Sequence, residues 1–480
     1  MRVMPRRRFL QAVAASAAAA GCVRRAAAAG RPSLLVVGSG IAGLSAAWEL
    51  QNSGFDVTVF EKNNIAGGRM IEAWVGPLFG SVHASALYEG SREMWALAED
   101  LGLAAELDGQ PDGDIWGFPV DNGHGTYTVA TRMHLTEMLN VPGLSAATRL
   151  RLPALFPELA AIRSEVDPCL LATGERWDRE SLWEYCVRTV GSDAAREIMD
   201  YWLEPALMWP WSWRPDETSM IAPLAIAAQQ HHRWIRPRAG IGFLTRRLAR
   251  EVDVQLNTTV MQIAPADATG RHAVHYLTPE GERRVVTPDV VLCAVQGDFV
   301  SPIVAGLDDA ERRFFDGIQT TKYAAVQYVL APEHAPAHFM GGPGVTRNHA
   351  DELRRRLAFG WSVEPPGEGR PAVLSLALSE DEEIRWRASG RSLADYCMPF
   401  AQALYPALTP EAVTDVIVRA GDNLARMPTG YIQAMARFLL TQERTRRGLY
   451  FAGEYLGNSF TGGACASGRT VARTIVRHWR

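Results

Sequence analysis

Cysteine is scarce in this chain. Six Cys in 480 residues make no disulfide framework, and no CxxC or Cys/His cluster suggests zinc. Beyond the N-terminal region no run of about 18 strongly apolar residues occurs, which argues against a polytopic membrane protein. Excess charge is also small, at −4 overall, but it is unevenly spread. Residues 1–30 hold six Arg and no acid, so removing those six charges from −4 leaves −10 for the remainder. An acidic body argues against broad nucleic-acid binding. What is present is ordinary globular composition, 47% hydrophobic and 21% charged, which excludes a mostly disordered, collagen-like or coiled-coil chain. The length suits about three domains or one large two-domain enzyme.

The first thirty residues read as an address. Arg6-Arg7-Arg8-Phe9-Leu10 precedes a mild, Ala-rich stretch from Gln11 to Gly21, and Arg24 and Arg25 follow before Ala26 to Ala29. That is the layout of a secretory signal, and R-R-x-F-L resembles the twin-arginine export motif. Export to the periplasm or the exterior is therefore expected, with cleavage after the Ala26–Ala29 run. Ala20-Gly21-Cys22 weakly resembles a lipoprotein cleavage box, so lipid anchoring through Cys22 is the alternative.

The first folded element has the pattern of a dinucleotide site. Leu34-Leu35-Val36-Val37 is a continuous apolar run, as in a strand buried on both faces. Gly38-Ser39-Gly40-Ile41-Ala42-Gly43 follows at once, then a helical stretch from Leu44 to Leu50 and a second strand, Asp56 to Phe60, ending at Glu61. In that context the glycines serve a tight turn, a close approach to a diphosphate, and close helix–strand packing. The helix N-terminus faces the phosphates. Glu61 would accept hydrogen bonds from ribose hydroxyls and would repel a 2′-phosphate, which disfavours NADP.

Lys62-Asn63-Asn64-Ile65-Ala66-Gly67-Gly68-Arg69 comes next. An acid ending the second strand, followed shortly by Gly-Gly-Arg, resembles the flavin amine oxidase superfamily, which includes amine oxidases, protoporphyrinogen oxidases and phytoene-type desaturases. The C-terminal end is similar to the same family's second flavin motif: Gly448 to Glu454 reads as a strand ending in Gly453-Glu454, and Thr461-Gly462-Gly463-Ala464 opens a last helix. The resemblance implies FAD rather than NAD, with Gly68 and Arg69 along the diphosphate and flavin. It implies Glu454 near the ribityl–phosphate region and Gly463 and Ala464 at a helix start whose dipole would favour flavin reduction. Lys62 belongs to the first motif. Between the two, Arg236 to Gly242 leads to a helix from Phe243 to Glu251 and a strand from Val254 to Val260, with Val260 carried over as an adenine contact. Asp289 to Ala294 resembles the next buried strand. The implied fold is α/β. A discontinuous Rossmann-like FAD-binding domain (32–95, 235–300 and 415–480) accompanies an inserted α+β substrate-binding domain (96–234 and 301–414).

The substrate side is read by comparison with the family. Trp177, Trp183, Trp202, Trp209, Trp211, Trp213 and Trp234 lie in one helix-rich stretch, as pocket lining or as core packing. An ungapped alignment places Ser81 where relatives carry an acid, and His83-Ala84 at a small pair touching flavin. His83 would then face the ring or substrate as a base or donor, or else be an ordinary core or surface histidine. The family's lysine near flavin N5 falls at Ala325, with Lys322 nearby and displaced by register. The position of covalent attachment falls near Ala425, so noncovalent FAD is expected. Phe460 matches one ring of the aromatic substrate cage, and the other falls near Arg426 or Met427, which are not aromatic. Arg426 would hold a substrate carboxylate or pair with an acid. The implied chemistry is loss of a hydride equivalent from substrate carbon to flavin N5, with no strong protein nucleophile needed. Amine (C–N) oxidation is the first reading and C–C oxidation of a protoporphyrinogen-oxidase or desaturase kind the second. A non-catalytic FAD-fold binding protein is the third. Dioxygen or a membrane acceptor would reoxidise the flavin, and no metal is expected.

Overall fold

A computed structural model describes residues 30–75, 78–81, 87–108, 117–121, 127–131, 144–200, 203, 213–229, 234–235, 237, 239–336, 340–342, 361–364, 371–378, 380–405 and 407–479. Along the chain come β1 (Ser33–Val37), α1 (Ile41–Asn52), β2 (Asp56–Phe60), α2 (Arg92–Asp100), α3 (Leu182–Val190), α4 (Phe243–Glu251), β3 (Asp253–Gln255) and β4 (Val290–Cys293). Then follow β5 (Thr320–Leu330), β6 (Ala372–Leu378), α5 (Glu380–Ser389), α6 (Leu393–Leu404), β7 (Val413–Ala425), α7 (Tyr431–Arg444), β8 (Leu449–Phe451) and α8 (Thr461–Trp479).

The short apolar strands form one parallel sheet in the order β8-β4-β1-β2-β3. Its central strands are buried on both faces, which explains their unbroken Val/Leu runs. The two halves of the chain meet here, because β8 and α8 come from the C-terminus. α8 crosses α1 so closely that a Cβ on Gly468 would lie 2.1 Å from the Ala42 carbonyl oxygen. Buried Arg469 and its neighbour Arg473 fasten that crossing. Arg469 Nε is 3.1 Å from Glu49 Oε2 and Arg473 Nη1 is 2.6 Å from Glu93 Oε1, joining α8 to α1 and α2.

One expected strand is two. The run from Val254 to Val260 divides at Asn257, which adopts a left-handed φ of 53°. Asn tolerates that conformation better than most residues. Before the break, β3 pairs with β2; after it, Thr259–Ala266 opens a separate three-stranded antiparallel meander completed by His272–Leu277 and Arg283–Val286. Val260 therefore lies in the meander, paired with Tyr276, and not in the parallel sheet.

A second, antiparallel sheet has the order Met340–Gly342, Trp361–Glu364, β6, β5, β7. Alternate residues Ala324, Val326, Tyr328 and Leu330 of β5 share a core with Leu393, Cys397 and Ala401 of α6. That period of two is what a sheet covered on one face requires. The boundary expected at 415 falls inside β7, which stays with this sheet through Ala425. Helices fill the stretch from 146 to 198, where a reciprocal Ser181–Glu184 capping box starts α3. Buried Asp178 reaches from this helical layer to α7, accepting from Gly430 N at 2.9 Å and Gln433 N at 3.0 Å. Among the described residues no helix is long and apolar enough to cross a membrane.

One fold contact carries a pH prediction. Asp289, just before β4, accepts from Ser33 N and Ser33 Oγ, both at 2.8 Å, and so ties the starts of β4 and β1. Burial alone would raise its pKa, but the Ser33 hydrogen bonds and nearby Arg271 prevail and lower it. A lowered carboxyl pKa stabilises the fold above the ordinary Asp value of about 3.9, and that contribution is lost as pH falls through the native value. Asp289→Asn should therefore flatten the acid limb of stability below about pH 4, measured by urea unfolding across a pH series.

Candidate cofactor and active site

The carboxyl end of the parallel sheet collects the predicted motif residues. The turn after β1 is pinned by Gly38 N donating to Phe60 O at 2.8 Å, and Gly38 takes a positive φ of 101°. Gly43 lies against that turn: an added Cβ would sit 2.1 Å from the Gly38 carbonyl oxygen. Gly40 is different, since a Cβ there would meet nothing within 4 Å. Ile41, Ala42 and Gly43 then begin α1, whose N-terminus has no side-chain cap. Uncapped helix donors beside open space form an anion-binding arrangement, and Gly40 keeps it open.

Glu61 closes the second side. Its carboxylate is buried and accepts from Ser39 N at 3.0 Å, Ser39 Oγ at 2.7 Å, Asn63 N at 2.9 Å and Asn63 Nδ2 at 2.8 Å. Those bonds hold the Gly-rich turn to the end of β2. Asn63 was not singled out in the sequence; its place two residues after the acid is the available signal. Lys62 extends over the Phe299 ring, 5.0 Å from the centroid. Gly67 N donates to Ser39 O at 2.9 Å, bringing the Gly67-Gly68-Arg69 loop alongside Gly40.

The two ends of the chain then meet directly. Arg69 Nη2 pairs with Glu454 Oε2 at 2.7 Å, and Glu454 is buried. Among the described residues the other oxygen, Glu454 Oε1, has no hydrogen-bond partner. Gly453 N donates to Ser467 Oγ of α8 at 3.2 Å. A Cβ on Gly463 would lie 2.0 Å from the Asn458 carbonyl oxygen, so the chain folds back tightly before Ala464. An orphaned buried oxygen, uncapped helix donors and a gap at Gly40 fit a ligand with an anionic centre flanked by hydroxyls. A flavin dinucleotide is such a ligand.

Phe460 is buried and stands edge-on to Tyr88, with centroids 5.8 Å apart. Burial raises the Tyr88 pKa, keeping its phenol neutral. The preceding residue, Ser459, donates to Ala425 O at 2.8 Å, and Trp213 Nε1 donates to the same carbonyl at 3.3 Å. Arg426 is held by two acids, Glu380 and, at 3.3 Å, Glu217. Its charge is thus matched within the protein, which disfavours it as an anchor for a substrate carboxylate. Ala325 is buried on β5, while Lys322 is exposed near its start. Trp177 and Trp213 are buried in the helical core, so both pack. His83, Trp202, Trp209, Trp211 and Cys22 lie outside the described residues. Burial pushes the thiols of Cys293 and Cys465 up to about 12, which keeps them protonated. Among the described residues no cluster could hold a metal ion.

A family model for flavin-containing amine oxidoreductases matches residues 41–476, and the chain belongs to that family. It is, accordingly, a FAD-dependent oxidoreductase. Among curated relatives, protoporphyrinogen oxidase 2 of Arabidopsis thaliana is 28% identical over 188 residues, which is 38% of this chain and 34% of that protein. The chain thus matches about a third of that relative's length. Among solved structures, cyclohexylamine oxidase from Brevibacterium oxydans has a TM-score of 0.62 at 16% identity, over 93% of this chain and 99% of that one. A fatty acid isomerase from P. acnes has a TM-score of 0.64 at 15% identity, over 94% and 99%. The mixed α/β fold with its parallel sheet is shared with these proteins.

Proposed function

We propose that the chain binds FAD noncovalently across the carboxyl edge of the parallel sheet, in a Rossmann-like arrangement, and oxidises a small molecule at a C–N bond. The observation that carries the cofactor placement is the Arg69–Glu454 pair, which joins the two motifs and, among the described residues, leaves one buried carboxylate oxygen unpartnered. Gly40 and the start of α1 would receive the diphosphate, and Glu61 would exchange its Ser39 or Asn63 bonds for ribose hydroxyls. Val260 would meet the adenine, while Gly463 and Ala464 would bring the start of α8 to the flavin. When bound, FAD supplies the hydride acceptor at N5. The protein supplies orientation, exclusion of water and an aromatic wall from Phe460 and Tyr88, which suits an amine carbon.

A second reading, oxidation of a C–C bond, is favoured by the missing second ring of an amine cage. By the family comparison that ring falls near Arg426 or Met427, neither of which is aromatic. The similarity to protoporphyrinogen oxidase 2 supports the same reading. Anaerobic mixing with a panel of amines should bleach the flavin, and turnover should release ammonia. Bleaching by carbocycles alone, without ammonia, would select the second reading. No bleaching by either class would contradict both readings of the substrate. Residues 1–30 are taken as a twin-arginine export signal, which suits a protein that loads its cofactor before export. Dioxygen or a membrane acceptor would receive the electrons. N-terminal sequencing of the exported protein tests cleavage after Ala26–Ala29 against lipidation at Cys22.

A further inference from the structure

Gln296 is a residue that neither motif contains, yet the cofactor edge encloses it. Where β4 ends, Ala294 N donates to Val37 O at 2.8 Å, so the chain leaves the sheet beside β1. Ala294 then lines the Gly38 turn, its carbonyl oxygen 2.8 Å from where a Cβ on Gly38 would be. One residue beyond Gln296, a Cβ on Gly297 would lie 3.0 Å from Cγ of the Tyr455 ring. Tyr455 follows Glu454, the partner of Arg69. Three residues beyond Gln296, Phe299 receives Lys62, which follows Glu61. Gln296 is thus bracketed by the loops that leave β1, β2 and β8. Ligands of open α/β sheets bind outside these carboxyl ends.

The side chain is chemically unfinished. Among the described residues, Gln296 Nε2 is buried without a hydrogen-bond partner. A buried amide donor left unpaired is costly, so native structures rarely keep one without a purpose. Glu454 Oε1, on the residue before Tyr455, is unpartnered as well among the described residues. A carboxylate accepts and an amide donates, so the two atoms offer complementary contacts to a ligand that carries both hydroxyls and anionic oxygens.

The geometry points to Gln296 as a cofactor-binding residue that donates from Nε2 to an oxygen of the diphosphate–ribityl linkage of FAD. This rests on the FAD placement proposed above. It makes a prediction of opposite sign for the two states of the protein. With FAD absent, the donor is a stranded polar group, and replacing it with an apolar side chain of similar length removes a penalty. With FAD bound, the same replacement removes a hydrogen bond to an acceptor that carries charge.

The test uses flavin-stripped and reconstituted wild-type, Gln296→Met and Gln296→Glu proteins, read by FAD titration and by thermal melting without FAD. Gln296→Met should bind FAD about tenfold to a hundredfold more weakly, the range for one hydrogen bond to a charged group. Its cofactor-free form should melt no lower than wild type. Gln296→Glu should bind still more weakly, since a carboxylate repels the diphosphate. Unchanged FAD affinity in Gln296→Met, as expected if water alone occupies the donor, overturns the inference. So does a lower melting point of the cofactor-free variant, which would mark a structural role. Failure of the wild type to bind FAD instead overturns the placement on which the inference rests.

Discussion

Gly40→Ala should fold as well as wild type and lose its flavin, while Gly43→Ala should be destabilised and lose its flavin too. The contrast follows from what each new methyl group meets. At Gly43 the methyl lies 2.1 Å from the Gly38 carbonyl oxygen, a backbone atom that cannot step aside without dismantling the turn. Overpacking of this kind costs about 1–3 kcal/mol or more, and the fault falls where α1 must present its first donors. At Gly40 nothing lies within 4 Å, and φ is −67°, so alanine fits the protein itself. Its methyl would fill the space assigned to the diphosphate. The check is flavin content by absorbance together with urea unfolding of the cofactor-free proteins. Full flavin in Gly40→Ala would remove the diphosphate from that position. A stable, flavin-bearing Gly43→Ala would contradict the turn geometry.

Removing Arg69 should be strongly damaging to both stability and flavin binding. Glu454 is 5% exposed at its side chain and Arg69 is 29% exposed, so Arg69→Ala strands the more deeply buried member. Breaking a buried pair this way costs about 3–5 kcal/mol. The partial exposure of Arg69 puts the expectation at the lower end, about 3 kcal/mol. Arg69→Ala with Glu454→Gln should recover part of that stability, because no charge is left stranded. Neither protein should hold FAD as wild type does, since both alter the pair proposed to lie beside the flavin. Additive losses in the double variant, measured by denaturant unfolding, would show that the two residues do not act as a pair.

How much of this was legible in the sequence depended on the range of the signal. The Gly38-to-Gly43 turn, Glu61 and the run through β1 are local, and periodicity with glycine placement marked them. Gly453-Glu454 and the start of α8 were found because a second local motif resembled a family. The pairing of Arg69 with Glu454 was not legible, because nothing in either segment names its partner across the chain. Asn257 divided an expected strand through one residue's tolerance of positive φ, a feature that hydrophobic alternation does not report. Arg426 was open between a substrate anchor and an ion pair until the fold placed Glu217 and Glu380 beside it. Gln296 carried no pattern at all. Its interest comes only from burial without a partner, which exists once the loops around it have converged.

The proposed FAD placement rests on the cofactor edge of the parallel sheet. Its most direct test is the visible spectrum of the purified protein after incubation with FAD and gel filtration. A flavin spectrum at one FAD per chain is expected, with the flavin released on denaturation as a noncovalent link requires. A colourless protein after reconstitution, with its fold intact by circular dichroism, would contradict it.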